Sequence, residues 1–156
     1  MIKNYAHRGF CSQYPENTIL AFQKALEEGV DGIENDVQLS KDGHIVIMHD
    51  ESVDRTTNGK GWVKDLTLAE LKELDASEKF GSQFGVQRVP TLREYLELVK
   101  DQPVITNIEM KTGVFEYLEM EQMLVDMLRE YKVEDRVLIT SFNHFTIMRM
   151  KERAPE

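Results

Sequence analysis

Two histidines and three carboxylates stand in this sequence where short apolar runs end. The histidines are His7 and His49, and the carboxylates are Glu34, Asp36 and Glu109. Imidazole can both remove and supply a proton near neutral pH. Carboxylate oxygens are hard ligands that suit Mg²⁺ or Ca²⁺ better than zinc. Together these groups indicate metal-assisted chemistry on a phosphate ester, with the imidazoles as acid and base.

Two cations accompany these groups. Arg8 follows the first histidine and Lys111 follows the last carboxylate by two residues. A guanidinium can fork onto phosphate oxygens, and an ammonium can offset charge that develops in a transition state. The net charge of −9 repels anions overall, so a phosphate site needs concentrated local positive charge. The same net charge argues against nucleic acid as a partner.

Each of these residues also has a plainer interpretation. The three carboxylates would then be solvated groups at strand ends, or they would form salt bridges with Arg8 and Lys111. The two histidines would merely pack or cap the ends of strands. The pattern of residues does not decide between these interpretations and the catalytic ones.

Several neighbouring residues have two interpretations as well. Asp50 either orients His49 or caps the loop that follows. In the sequence PENT, Glu16 and Asn17 either reach the site or serve the start of a helix. Asn35, between two acidic positions on one strand, is expected to point away from a metal.

Length and composition indicate one protein core of ordinary size. The chain has 156 residues, and no run approaches the roughly 20 apolar residues of a membrane span. Its start lacks the apolar region of a secretory signal. One cysteine excludes an internal disulfide and fits a reducing compartment. We expect a cytoplasmic protein.

Apolar patterns and turn signals predict alternating strands and helices. Strands are expected at 2–6, 32–39, 45–48, 104–111 and 136–142, and helices after PENT, at TLAELKEL, from Pro90-Thr91, at 115–131 and at HFTIMRMKER. Four successive strand–helix units predict a parallel sheet, whose chemistry collects at the carboxyl ends of its strands. Residues 50–90 are expected to form an excursion over one end of that sheet.

The second and third strands are expected to form a hairpin. If its turn centres on Lys41 and Asp42, as in a two-residue loop, Glu34 faces His49 across the ladder. Asp36 then faces Ile47. A shift of one residue would place the opposite face of the strand in the site.

A family resemblance runs through the chain. The segments AHRG, PENT, IENDVQLSKDGHIVIMHDESVDRTTNGKG, VPTLREYLELV, NIEMK and ITSF resemble glycerophosphodiester phosphodiesterases in content and order. The resemblance implies a (β/α) barrel of the TIM type with an insertion after its second strand. It implies hydrolysis of small-molecule glycerophosphodiesters to glycerol 3-phosphate and an alcohol, with Mg²⁺ or Ca²⁺. The substrate's own glycerol hydroxyl would attack first, and a cyclic phosphate would then be hydrolysed.

The chain is shorter than this fold requires. A barrel of eight units takes about 250 residues, and four units are present here. We therefore expect residues 1–156 to be the N-terminal half of the barrel domain, with 50–90 as its insertion. The open edges require either a C-terminal half in a longer polypeptide or a second copy. Two further hypotheses are a catalytically idle half-barrel that binds metal or a partner, and a related phosphodiesterase for another head group.

Overall fold

Residues 2–155 are described by a computed structural model of the chain. Within that range the strands are β1 (Tyr5–Ala6), β2 (Gly32–Leu39), β3 (Ile45–Ile47), β4 (Ile105–Met110) and β5 (Val137–Thr140). The α-helices are α1 (Ile19–Glu27), α2 (Leu68–Glu73), α3 (Leu92–Val99), α4 (Met120–Tyr131) and α5 (His144–Arg153). Short 3₁₀ segments lie at Val63–Asp65, Glu78–Phe84 and Glu134–Arg136.

The sheet is parallel, as predicted. Its order is β1-β2-β4-β5, and β3 pairs with β2 in the antiparallel sense. The register between β2 and β4 places Asp36 beside Glu109 and Glu34 beside Asn107. The predicted α/β class is therefore confirmed, and two of the three candidate carboxylates are direct neighbours across adjacent strands.

Alternation along β2 and β4 separates an apolar face from a polar one. Ile33, Val37 and Ile108 are fully buried in the core with Phe22 and Tyr95 of the helical layer. Successive side chains of a strand point to opposite faces, so even-numbered residues of β2 face away from that layer. Glu34 and Asp36 are therefore on the polar face.

Threonine caps begin the helices near the site. The Thr18 side chain accepts from the backbone N–H of Ala21 at the start of α1. Thr91 forms a capping box with Glu94 at α3, which confirms the predicted start there. Helix α4 begins at Met120, so the prediction of 115 as its start is wrong. The ring of Phe115 instead packs edge-on against Trp62, with centroids 5.5 Å apart.

The predicted hairpin register is wrong by one residue. Ile47 pairs with Val37 instead of Asp36, and Glu34 does not face His49. The cause is a three-residue loop: the Ser40 N–H donates to the His44 carbonyl at 2.9 Å, and Gly43 takes a left-handed φ of 79°. A loop of this kind adds one residue to the two-residue turn that was assumed.

The segment between β3 and α3 has a small apolar cluster of its own. Val53, Val63, Leu71 and Val89 pack there with two residues of the hairpin, Val46 and Met48. The backbone of Val46 also bridges to Thr91. The segment is thus held against the carboxyl end of the sheet, where the candidate site lies.

The outer strands of the sheet, β1 and β5, each have one partner strand among the described residues. In β5 and beyond it the chain exposes several large apolar side chains, including Leu138, Phe145 and Phe142, the last 88% exposed. In residues 2–155 no helix combines the length and the apolar character needed to cross a bilayer.

Candidate active site

Three carboxylates converge at the carboxyl ends of β2 and β4. One oxygen each from Glu34, Asp36 and Glu109 lies within 4.8 Å of the others. Asp36 is fully buried and Glu34 nearly so. Like charges at this spacing and burial repel strongly unless a cation neutralises them. The predicted convergence of these three residues is present in the structure.

Burial and mutual repulsion disfavour the ionised carboxylates. Burial, followed by the charge of Asp36, raises the pKa of Glu34 from 4.5 to about 7. Burial also raises the pKa of Asp36, although a hydrogen bond from Asn17 opposes it. Positive charge at this position would therefore stabilise the ionised carboxylates.

The donor set fits a hard divalent cation. The Oδ1 atom of Asp36 is buried and has no hydrogen-bond partner among residues 2–155. The Lys111 Nζ lies 3.8 Å from this atom. A buried carboxylate oxygen of this kind is costly unless it has a ligand, and three carboxylates supply the oxygens that Mg²⁺ or Ca²⁺ prefers.

His7 contacts this cluster directly, and His49 contacts it through Lys111. The His49 Nε2 lies 3.3 Å from the Lys111 Nζ, and its Nδ1 lies 2.6 Å from Asp50 Oδ1. The His7 Nε2 lies 3.9 Å from Glu34 Oε2, and its side chain is 64% exposed. One imidazole is thus held by neighbours, whereas the other is open to solvent.

The contacts of His49 specify its neutral tautomer. Hydrogen bonds from Arg55 lower the pKa of Asp50 to about 2, so this carboxylate is ionised and can only accept. The His49 Nδ1 must therefore carry the proton that it shares with Asp50. Its Nε2 lone pair then faces the Lys111 ammonium. Asp50 orients His49, which was one of its two interpretations.

Both candidate cations contact carboxylates. Arg8 Nη1 donates to Glu16 Oε1 at 3.0 Å, and its Nε lies 3.5 Å from Asp36 Oδ2. Lys111 Nζ donates to Glu109 Oε1 at 2.8 Å. The salt bridges of the plainer interpretation are therefore present. They also hold both cations within reach of the carboxylate cluster.

An unusual backbone turn aims Arg8 at the site. Arg8 and Asn17 have left-handed φ values of 54° and 56°, and the Asn17 N–H donates to the Arg8 carbonyl at 3.0 Å. Such backbone costs about 1–3 kcal/mol at a non-glycine residue. The turn directs the Arg8 N–H to Glu34 Oε2 at 2.9 Å, and the Asn17 amide to Asp36 at 2.8 Å.

Two residues of the site were missed in the sequence. Arg55 forms four hydrogen bonds with Glu16 and Asp50. Buried Gln38 donates to the carbonyls of Met48 and Asp50 at 3.0 and 2.6 Å. Gln38 could have been found, because it lies on the same face of β2 as Glu34 and Asp36. Arg55 lies in an irregular segment, where residue spacing does not predict the position of a side chain.

Several other polar residues lie outside this network. His44 and His144 are exposed. The Ser141 hydroxyl donates to the Met110 carbonyl at 2.8 Å, which ties β5 to β4. Asn35 is fully buried on the opposite face of β2 from the carboxylates.

Known proteins resemble this chain in sequence and in fold. Residues 7–156 match the model of the glycerophosphoryl diester phosphodiesterase family. The chain belongs to this family. A relative from Caldanaerobacter subterraneus subsp. tengcongensis, named glycerophosphodiester phosphodiesterase, is 54% identical over 150 residues, which are 96% of this chain and 62% of the relative. A family member of the same name from Bacillus altitudinis is 48% identical over 145 residues, 92% of this chain and 59% of its own.

Two solved structures share the fold of this chain over part of their own length. An Agrobacterium tumefaciens glycerophosphodiester phosphodiesterase superimposes with a TM-score of 0.89 at 34% identity, over 99% of this chain and 64% of that one. An Oleispira antarctica phosphodiesterase, solved with its product sn-glycerol-3-phosphate, gives 0.89 at 36% identity, over 100% and 64%.

The match covers only part of these relatives. The chain spans about 60% of the length of the curated relatives that it matches first. All seven predicted site residues lie within the matched residues 7–156.

Proposed function

We propose that this chain carries the catalytic groups of a phosphodiesterase that hydrolyses glycerophosphodiesters to glycerol 3-phosphate and an alcohol. The observation that carries the proposal is the meeting of His7 and His49 with the cluster of Glu34, Asp36 and Glu109. Membership of the family supports it. So does the glycerol phosphate product bound to the similar Oleispira antarctica phosphodiesterase.

The three clustered carboxylates would hold Mg²⁺ or Ca²⁺. Such an ion supplies Lewis acidity to a phosphoryl oxygen and lowers the pKa of a hydroxyl beside it. The fit rests on the buried, unpartnered Oδ1 of Asp36 and on the raised pKa of Glu34. Both features favour a cation between the side chains.

Arg8 and Lys111 would bind the non-bridging phosphate oxygens. Each has donors beyond those that the carboxylates use, since Arg has five N–H groups and Lys three. Lys111 contacts both Glu109 and His49, so a phosphate bound by Lys111 lies beside an imidazole. This placement brings the substrate within reach of a proton donor or acceptor.

His7 and His49 would move the protons. In the first step one imidazole takes the proton of the glycerol hydroxyl as its oxygen attacks phosphorus. The other imidazole, protonated, gives its proton to the departing alkoxide, and a cyclic phosphate and a free alcohol result. In the second step water attacks the cyclic phosphate with the two roles exchanged, which yields glycerol 3-phosphate and restores both imidazoles.

Histidine variants test this proposal. We expect His7→Ala and His49→Ala each to lower kcat for glycerophosphocholine by about 10²–10⁴-fold with Mg²⁺ or Ca²⁺ present. His44→Ala is the matched control, because His44 is exposed at the hairpin turn. Full activity in either site variant would refute the acid–base roles.

A second substrate separates the acid from the base. In a glycerophosphodiester with p-nitrophenol as its alcohol, the leaving group departs as the phenolate and needs no proton from the enzyme. We expect this substrate to restore turnover in the variant that lacks the acid and not in the one that lacks the base. Equal restoration in both variants would contradict the division of roles.

The extent of the domain is a separate proposal. We propose that residues 1–156 form the N-terminal half of a (β/α) barrel of eight units, with 50–90 as the insertion. The outer position of β1 and β5 and the exposed apolar residues beyond β5 support it. The intact mass of the natural gene product tests it. A folded 156-residue chain that binds metal but hydrolyses nothing would instead favour the idle half-barrel.

A further inference from the structure

Arg55 joins two carboxylates that come from distant parts of the chain. Its Nη1 and Nη2 donate to Glu16 at 2.8 and 2.7 Å, in the bidentate arrangement. Its Nε and Nη2 donate to Asp50 at 2.7 and 3.0 Å. The side chain is 40% exposed, so these four hydrogen bonds form at the rim of the site.

These contacts continue to groups with proposed roles. Glu16 also accepts from Arg8, and Asp50 also accepts from His49 Nδ1. A continuous path therefore runs from Arg8 through Glu16, Arg55 and Asp50 to His49. Arg55 is the middle of that path, and it links the proposed phosphate ligand to a proposed acid–base group.

Arg55 is not needed to hold together the loop that carries it. The segment around Arg55 is closed by hydrogen bonds of its own: the Val53 N–H donates to the Gly61 carbonyl at 3.0 Å, and the Thr57 N–H to Val53 at 3.1 Å. The Gly61 N–H also donates to Asp54 at 2.9 Å. The loop is thus held without Arg55, whose four hydrogen bonds all go to the two carboxylates.

The two oxygens of Asp50 are both engaged. Oδ2 accepts from Arg55 Nε, and Oδ1 accepts from Arg55 Nη2 and from His49 Nδ1. The backbone carbonyl of Asp50 is fixed separately by Gln38. Removal of Arg55 would therefore leave the main chain in place and free the carboxylate to rotate away from the imidazole.

We infer that Arg55 is a positioning residue that locks Asp50, and through it the ring of His49 in the Nδ1–H tautomer with Nε2 directed into the site. The effect of this lock on the rate of hydrolysis rests on the proposed function. The lock itself is a property of the folded chain and is measurable without any substrate.

The test compares Arg55→Gln with Arg93→Gln by NMR. Arg93 forms a bidentate pair with Glu130 at 2.6 and 2.9 Å on the exposed helical side, so its loss is a matched control. In protein with ¹⁵N-labelled histidine, the His49 signals are identified by their absence in His49→Ala. We expect one tautomer in the wild type and in Arg93→Gln, and nitrogen shifts averaged between both tautomers in Arg55→Gln.

The kinetic arm uses the same variants. Removing a residue that orients a group of the active site typically lowers activity by 10- to 100-fold. We therefore expect kcat for glycerophosphocholine to fall by about that factor in Arg55→Gln. KM should stay near the wild-type value, because Arg8 and Lys111 remain. Arg55→Lys should restore part of kcat, since an ammonium can pair with one carboxylate but cannot fork onto both.

Each outcome bears on the inference. A wild-type tautomer in Arg55→Gln overturns it, whatever the activity. A changed tautomer with kcat equal to that of Arg93→Gln overturns the role in turnover. If even the wild type fails to hydrolyse the substrate, the proposed function fails and the NMR result still decides the lock. If Arg55→Gln does not fold, Arg55→Met, which keeps the length of the side chain without a hydrogen-bond donor, takes its place in the NMR comparison, and a wild-type tautomer there refutes the lock.

Discussion

Replacing Glu34 with Gln should make the metal-free protein more stable at alkaline pH. The pKa of Glu34 rises from 4.5 to about 7 in the fold, chiefly through burial and then through the charge of Asp36. The folded state therefore binds more protons than the unfolded state between these values, and stability falls as the pH rises through them. Glutamine keeps the shape and an oxygen acceptor for the Arg8 N–H, but it carries no charge.

The magnitude follows from the two pKa values. A carboxyl whose pKa rises from 4.5 to about 7 favours its neutral form in the fold by roughly 3 kcal/mol. Glu34→Gln should recover about that free energy of unfolding at pH 8 and less than about 1 kcal/mol at pH 5. A chain of this size should then melt roughly 6–12 °C higher at pH 8.

Added metal should stabilise the wild type more than Glu34→Gln. A cation that binds the folded state raises stability by mass action, and the ionised Glu34 is one of its three proposed ligands. Millimolar Mg²⁺ or Ca²⁺ should thus raise the melting temperature of the wild type more than that of Glu34→Gln. The Gln side chain gives up one negative oxygen ligand, which weakens the site.

Urea unfolding from pH 5 to 8, with chelator or with metal, measures both effects. Glu97→Gln, an exposed carboxylate on α3, is the control and should change the free energy of unfolding by less than about 0.5 kcal/mol. A difference between wild type and Glu34→Gln that is the same at pH 5 and pH 8 would refute the electrostatic reasoning. An equal metal response in both proteins would remove Glu34 from the ligand set.

Two further predictions concern the backbone turn beside the site. Gly9→Ala should destabilise the fold by more than about 2 kcal/mol, because a Cβ would lie 2.8 Å from the Ala21 backbone at a left-handed φ of 77°. Gly43→Ala has the same φ problem but open space and should cost only about 1 kcal/mol by urea unfolding, so equal losses would contradict the steric argument. Asn17→Gly, which tolerates the left-handed φ and removes the hydrogen bond to Asp36, should weaken Mg²⁺ binding by about tenfold or more in calorimetry, and unchanged affinity would rule out that support of Asp36.

Strand patterns predicted the groups that the sheet itself positions. The bounds of β2 agree with the prediction of 32–39, and its parallel pairing with β4 places Asp36 beside Glu109. Two rules sufficed for this: side chains alternate along a strand, and the carboxyl ends of parallel strands share one edge. Neither rule requires knowledge of the loops.

His49 was placed in the site for the wrong reason. The prediction used a ladder pairing with Glu34, but β3 ends at Ile47 and the register is shifted by one residue. Gln38, Asp50 and Lys111 hold the residue instead. The extra turn residue changes the pairing but not the end of the sheet at which the chain emerges. His49 therefore lies at the predicted end of the sheet although the predicted register is wrong.

The contacts of Arg55 lay beyond any sequence rule. Arg55 and Glu16 are 39 residues apart, in two irregular segments without periodicity. Their meeting depends on how the segment after β3 packs on its own apolar cluster, which only the folded structure defines. Strand-borne groups can therefore be predicted from pattern, whereas a contact such as that of Arg55 with Glu16, between two irregular segments, cannot.

The net charge of the assembled site supports the proposed metal ion and the proposed acid. Its mutually contacting charged groups are five carboxylates and three cations: Glu16, Glu34, Asp36, Asp50 and Glu109, with Arg8, Arg55 and Lys111. With neutral imidazoles two negative charges remain, which one divalent cation offsets. A bound phosphodiester then adds one negative charge, and one imidazolium offsets it. This balance supports the proposed division of roles, in which one imidazole donates a proton and the other accepts one.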